Sequence, residues 1–167
     1  MTAGIHLTLK ATFGAQPFTT PIGHRQDGIW CGIYYRECSA WRQLRSDAAI
    51  RLIDIRSTQE FLFVGHPLGA AHIPYIDEPD WIPNPCFTNQ VRALLPVVAE
   101  MEVKREDPIL LICRSGERSK AAGEVLLEDG VNNVFSIIDG FEGPLDKHDH
   151  RSGISGWRYD GLPWAQC

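Results

Sequence analysis

Apolar residues along this chain fall in short runs set between turn-forming residues, and the runs differ in period. The most sharply bounded one covers residues 109–112, Ile-Leu-Leu-Ile, and stops at Cys113. A short apolar run with β-branched residues reads as a buried strand. Four polar or flexible residues follow, Arg114, Ser115, Gly116 and Glu117. Then Arg118 and Ser119 open a stretch in which Ala122, Val125, Leu126 and Asp129 share one helix face. Gly130 stands where such a helix would stop. Cys113 is therefore expected at the carboxyl end of a strand, facing the start of the next helix. Ligands and reacting groups gather there in open α/β sheets.

The rest of the chain reads in the same alternation. Ile33, Tyr34 and Tyr35 suggest a short strand, followed by a helix over 38–45 with Trp41 and Leu44 or Arg45 on one face. A second apolar strand covers 51–55. At Asp54 a loop begins, in which Ser57 or Thr58 can cap a short helix while Glu60 reaches back. A turn-rich piece, 65–74, holds a brief strand at 71–73. Pro79, Pro83 and Pro85 predict a surface loop. Residues 89–101 read as a helix with Val91, Leu94, Leu95 and Val98 as its stripe, kinked or limited by Pro96. A strand is predicted over 133–138, then a turn at Asp139-Gly140 and a loop-rich tail whose tryptophans pack back on the body. This order implies an α/β domain with a mainly parallel central sheet and helices on both faces. Residues 31–167 suffice for that one domain. Residues 1–30, rich in Thr, Gly, Pro and Gln, read as an extension or wrapping arm.

Composition narrows the function. The 167 residues are 44% apolar and 22% charged, with a formal net charge of −5. No basic stripe dominates any segment, which argues against nucleic acid. No apolar run has the length of a membrane span, and the amino terminus lacks the pattern of a secretory signal. The five cysteines, at 31, 38, 86, 113 and 167, show no C-x-x-C pairing. Reduced thiols in a cytoplasmic protein are the expectation, with structural or incidental roles for Cys31, Cys38, Cys86 and Cys167. His66, His72 and the His148-Asp149-His150 cluster read as local hydrogen-bonding or solvated residues, so no metal is expected. Residues 140–143 are too short for a dinucleotide motif, so neither is a nucleotide cofactor.

Cys113 is where chemistry is expected. Loop amides and the unpaired donors of a helix start form an anion-binding concavity, which favours an anionic sulfur. Gly116 relaxes the steric limits so that N–H groups can converge. Arg114 and Arg118 add positive charge, and Glu117 removes some unless it points outward. The reading requires a ring of inward-facing amides around a sulfur open to solvent. Cys31 also has an arginine five residues later, Arg36, but in an aromatic strand-like run without a glycine turn, and is set aside as a decoy.

Taken together, LIDIRSTQEF, GHPLGAAHIP, CRSGERS, IIDGFEG and GWRYDGLPW resemble the rhodanese family of sulfurtransferases, over about residues 34–164. The resemblance implies a rhodanese-like fold and a cysteine that takes a sulfane sulfur from thiosulfate or a persulfide donor. The sulfur would be held as a persulfide and passed to cyanide, a small thiol or a sulfur-carrier protein. It assigns Cys113 as nucleophile and Arg114, Ser115, Gly116, Glu117, Arg118 and Ser119 as the loop cradling the outer sulfur. Arg118 would close the loop and steer an anionic donor. Asp54 and Arg56 match the family's DxR pair and are read as support. The family's phosphatase relatives carry one more residue between cysteine and arginine, so the four-residue interval argues against a phosphatase or arsenate reductase. A non-catalytic binding or sensor module remains the other alternative.

Overall fold

The computed structural model describes residues 33–95 and 107–167. The expected arm over 1–30, Cys31 and the distal part of the predicted 89–101 helix lie outside the described residues.

Among the described residues, nine strands and three α-helices follow one another. β1 (Ile33–Tyr35), α1 (Glu37–Ser46) and β2 (Arg51–Asp54) come first. Next are β3 (His66–Pro67), β4 (Ala71–His72), β5 (Ile76–Asp77), β6 (Ile82–Pro83) and α2 (Phe87–Leu94). β7 (Ile109–Ile112), α3 (Glu117–Glu128), β8 (Val134–Ile137) and β9 (Trp164–Ala165) complete the order. A wide helical turn of π type, Glu60–Val64, lies between β2 and β3. The central sheet runs β1-β8-β7-β2-β4 with every pairing parallel.

Period-two alternation assigns the two faces of β7. Ile109 and Leu111 join Phe87, Val91, Ala122 and Leu126 in a core under α2 and α3. Leu110 and Ile112 join Ala40, Phe135, Phe141 and Trp157 in a second core under α1 and the tail. All four β7 side chains are buried, as expected of a central parallel strand with both faces covered. Fully burying a side chain of this size contributes about 1.5–3 kcal/mol, so the strand ending at Cys113 is anchored from both sides. The α/β architecture with helices on both faces is thus the one read from the sequence.

Three local expectations change. Helix α2 begins at Phe87 and ends at Leu94, before Pro96. Leu95 is already extended, at φ −83° and ψ 136°, the conformation favoured before a proline. The predicted surface loop through the prolines contains a short antiparallel hairpin, β5–β6. The tail returns as β9 and pairs antiparallel with β3. It buries Trp157, whose indole N–H donates to the Pro163 carbonyl at 2.9 Å, whereas Trp164 stays partly exposed.

Candidate functional site

Residues 113–118 link β7 to α3. The amide of Phe141 donates to the Cys113 carbonyl at 2.8 Å, and that of Glu142 donates to the Arg114 carbonyl at 3.0 Å. The 139–142 turn thus holds the first half of the loop by its backbone. Contact this close requires glycine: a Cβ on Gly140 (φ 64°) would lie 2.4 Å from the Cys113 carbonyl oxygen. A Cβ on Gly116 (φ 95°) would lie 1.8 Å from the Ile138 carbonyl oxygen. Any L-side chain at either position forces the loop away from the turn.

Gly116 caps α3 in the left-handed region and donates its N–H to Cys113 Sγ at 3.1 Å. Among the described residues, this is the amide of the expected ring that donates to Sγ. On the inner side Ser119 Oγ lies 3.4 Å from Sγ, donates to the Gly116 carbonyl at 2.9 Å, and sits 2.7 Å from Ser136 Oγ on β8.

The expectation of a sulfur open to solvent is not met, because Cys113 is 1% exposed. The alternation of β7 supplies the reason. Residue 113 continues the face of Ile109 and Leu111, and its side chain enters the α3 core with Ala122 and Leu126. Among the described residues the surface thiols are Cys38, Cys86 and Cys167.

The outer side of the loop is charged. Arg118 donates from both terminal nitrogens to Glu60, at 2.7 Å each, and Arg114 Nε lies 3.9 Å from the same carboxylate. Burial pushes the Glu60 carboxyl up. The hydrogen bond and charge of Arg118, with the Ser57 amide and the charge of Arg56, outweigh it and hold the group below the usual carboxylate range. Burial pulls the Arg118 guanidinium down, but the Glu60 hydrogen bond and charge outweigh that and raise it. Arg118 therefore does not pair with Glu117, which is exposed in the first turn of α3. Ser115 is half-buried.

Beside this pair opens a cleft of about 430 Å³ lined by Ser57, Gln59, Glu60, Phe63, Val64, Trp81, Arg114 and Arg118. Phe63 and Trp81 stand on it, 71% and 55% exposed. Thr58 ties the β5–β6 hairpin to the cleft, its N–H donating to Asp77 Oδ1 at 2.9 Å and its hydroxyl to Oδ2 at 2.5 Å.

Behind the loop lies the Asp54–Arg56 pair, both side chains fully buried. Arg56 Nε donates to Asp54 Oδ1 at 2.9 Å and Nη2 to Oδ2 at 2.5 Å; Nη2 also donates to the Gly65 carbonyl at 2.6 Å. The guanidinium stacks 4.1 Å from the centroid of Phe141, the residue whose amide holds the Cys113 carbonyl.

Residues 39–146 match the family model of the rhodanese-like domain. The chain belongs to the rhodanese-like family. It is 32% identical over 104 residues to thiosulfate sulfurtransferase GlpE of Haemophilus influenzae, a match covering 62% of this chain and 79% of GlpE. It is 32% identical over 98 residues to the senescence-associated protein DIN1 of Raphanus sativus, where the match takes 58% of this chain but only 49% of that longer relative. Among solved structures, Rv0390 from M. tuberculosis superposes with a TM-score of 0.69 at 32% identity, covering 80% of this chain and 97% of that one.

This rhodanese-like domain brings together most of the residues singled out from sequence, and adds four. Glu60 is expected from sequence to be a capping residue only. It does cap, accepting from the Ser57 amide at 3.0 Å while its own amide donates to Ser57 Oγ at 3.2 Å, and the same carboxylate engages Arg118. Ser136, Gly140 and Phe141 gave no sign of contact with the loop, because β8 and its following turn reach it only through the sheet.

Proposed function

We propose that the protein is a sulfurtransferase that carries sulfane sulfur on Cys113. In the first step Cys113 Sγ, as thiolate, attacks the sulfane sulfur of thiosulfate or of a persulfide donor. With thiosulfate the new S–S bond forms as the S–S bond of the donor breaks, and sulfite leaves with the bonding pair. In the second step an acceptor nucleophile such as cyanide, a small thiol or the thiol of a sulfur-carrier protein takes the outer sulfur, and Sγ leaves as thiolate. Both steps balance in atoms and charge without a metal, a nucleotide or an external redox partner. Covalent, two-stage chemistry of this kind splits one difficult transfer into two easier ones. A reaction that runs on a reduced thiol suits a reducing compartment such as the cytoplasm. The net charge of −5 gives no attraction to nucleic acid.

The observation that carries the reading is the Gly116 N–H donating to Cys113 Sγ. It belongs to a loop packed so closely that neither Gly116 nor Gly140 of the facing turn leaves room for a side chain, with the Cys113 and Arg114 carbonyls held by the 139–142 turn. The four-residue interval from Cys113 to Arg118 makes a cradle that suits one sulfur better than a tetrahedral phosphate. Arg114, Ser115, Gly116, Glu117, Arg118 and Ser119 form that cradle, and Asp54 with Arg56 braces it from behind. Since Cys113 is buried, the donor arrives in the cleft at Arg114 and Arg118, and the loop must shift for the sulfurs to meet.

Two observations favour a second reading. A buried sulfur and an Arg118 already paired with Glu60 describe equally a rhodanese-like module that docks a partner without turnover. Mass spectrometry after incubation with thiosulfate separates the two. Transfer predicts one added sulfur on the peptide holding Cys113, removed by cyanide and absent in Cys113→Ser. No adduct with thiosulfate, with persulfide donors or in the protein as purified would sink the transfer reading.

A further inference from the structure

Two buried hydroxyls lie behind Cys113, that of Ser119 beside the inner sulfur and that of Ser136 beside Ser119. Ser119 Oγ has three neighbours: the Gly116 carbonyl at 2.9 Å, Cys113 Sγ at 3.4 Å and Ser136 Oγ at 2.7 Å. Ser119 and Ser136 are both buried. A hydroxyl has one proton to give and two lone pairs to receive. The Gly116 carbonyl can only accept, so with Ser119 donating to it, Ser119 Oγ is left to accept from the Cys113 thiol and from the Ser136 hydroxyl. That assignment satisfies every group while Sγ carries its proton.

Once Sγ is an anion it becomes an acceptor, and the Ser119 proton must swing from the carbonyl to the sulfur. Ser136 then decides how well this works. Its hydroxyl donates to Ser119 Oγ, keeps that oxygen in place during the swing and polarises its O–H toward the sulfur, as chained hydrogen bonds do.

We propose that Ser136 is a positioning residue for the transfer reaction, acting through Ser119 on the charge of the inner sulfur. The inference rests on the reading of Cys113 as the sulfur carrier. In the persulfide the negative charge sits on the outer sulfur, one bond further out, and Sγ is neutral. The serine pair therefore stabilises the empty enzyme over the loaded one. Its effect falls on the discharge step, in which the bond between the two sulfurs breaks and Sγ leaves with the electron pair.

The test compares half-reactions in single turnovers. Loaded protein is mixed with cyanide and loss of the added sulfur is followed by mass. Loading by thiosulfate is followed separately at alkaline pH, a condition chosen to favour the thiolate in variant and parent alike. Ser136→Ala is expected to slow discharge roughly three- to tenfold, the equivalent of one ordinary hydrogen bond, and to leave alkaline loading within about twofold. Ser136→Thr, which keeps a hydroxyl, is expected to restore discharge. Equal slowing of both steps, an unchanged discharge rate or failure of threonine to rescue would each overturn the proposal. If alanine leaves the chain unfolded, Ser136→Cys replaces it, since a thiol is a weaker donor and should still slow discharge.

A second readout does not require sulfur transfer at all. The rate of Cys113 alkylation by iodoacetamide against pH should move to higher pH in Ser136→Ala. A protein that takes up no sulfur yet shows this shift loses the transfer reading and keeps the relay. A protein that transfers sulfur with an unchanged alkylation profile loses the relay alone.

Discussion

Two arginine–carboxylate pairs flank the cysteine loop, and they differ in what surrounds them. Asp54–Arg56 is sealed, with both side chains at zero exposure and a carbonyl from Gly65 and the face of Phe141 beside the guanidinium. Glu60–Arg118 has equally good fork geometry but lies at the cleft, with 17% and 23% of the two side chains exposed. Breaking a sealed pair leaves an uncompensated charge in the interior, at a cost of about 3–5 kcal/mol. A pair at the surface contributes about 0–1 kcal/mol. The first pair is built to stay shut, and the second can exchange one anionic partner for another. A loop that must yield to a donor needs both, a fixed back and a movable front.

The contrast can be broken most severely at the sealed pair. Asp54→Ala should destabilise the fold by about 3–5 kcal/mol in urea unfolding, because Arg56 keeps its charge with no carboxylate beside it. A variant within about 1 kcal/mol of the parent in urea unfolding would contradict the sealed reading. Arg56→Lys is expected to cost less, about 1.5–3 kcal/mol, since the ammonium keeps the charge but loses the planar fork and the stacking on Phe141; a drop in melting temperature checks it.

At the movable pair the order of effects reverses. Arg118→Ala should change stability by no more than about 1 kcal/mol, while persulfide loading from thiosulfate falls roughly tenfold or more for want of a charge-assisted contact. Equal loading in variant and parent would remove Arg118 from the donor path. The smallest effect belongs to Glu60→Gln. The native carboxyl lies below its ordinary value of 4.5, so its contribution to stability is present above that value and fades as pH falls through the lower folded one. The glutamine variant should lose that part of the acid-side slope, in denaturation followed from neutral to acidic pH. It should also load faster if Glu60 competes with the donor for Arg118.

The parts of this molecule that could be read in advance are those whose partners are neighbours in sequence. The run 109–112, the turn after it and the helix periodicity to Gly130 lie side by side, and β7, the loop and α3 follow as expected. The Ser57–Glu60 cap needs only a three-residue spacing. The Arg118–Glu60 pair spans 58 residues, and nothing in the periodicity of either segment points to the other. The β5–β6 hairpin was hidden by prolines and by strands of only two residues each. The burial of Cys113 was in principle deducible from the alternation of 109, 111 and 113, but the charged residues that follow argued for exposure. A side chain belongs to the strand behind it as well as to the loop ahead.

The distribution of thiols has a practical consequence for anyone titrating this protein. Cys38, Cys86 and Cys167 lie at the surface, so a chromogenic disulfide reagent should show fast equivalents unconnected with turnover. Cys38 should be the slowest of these, since its hydrogen bond to Asp160 pushes the thiol up. The equivalent that tracks activity is expected in the slow phase, and a protocol that stops at the first plateau would miss it.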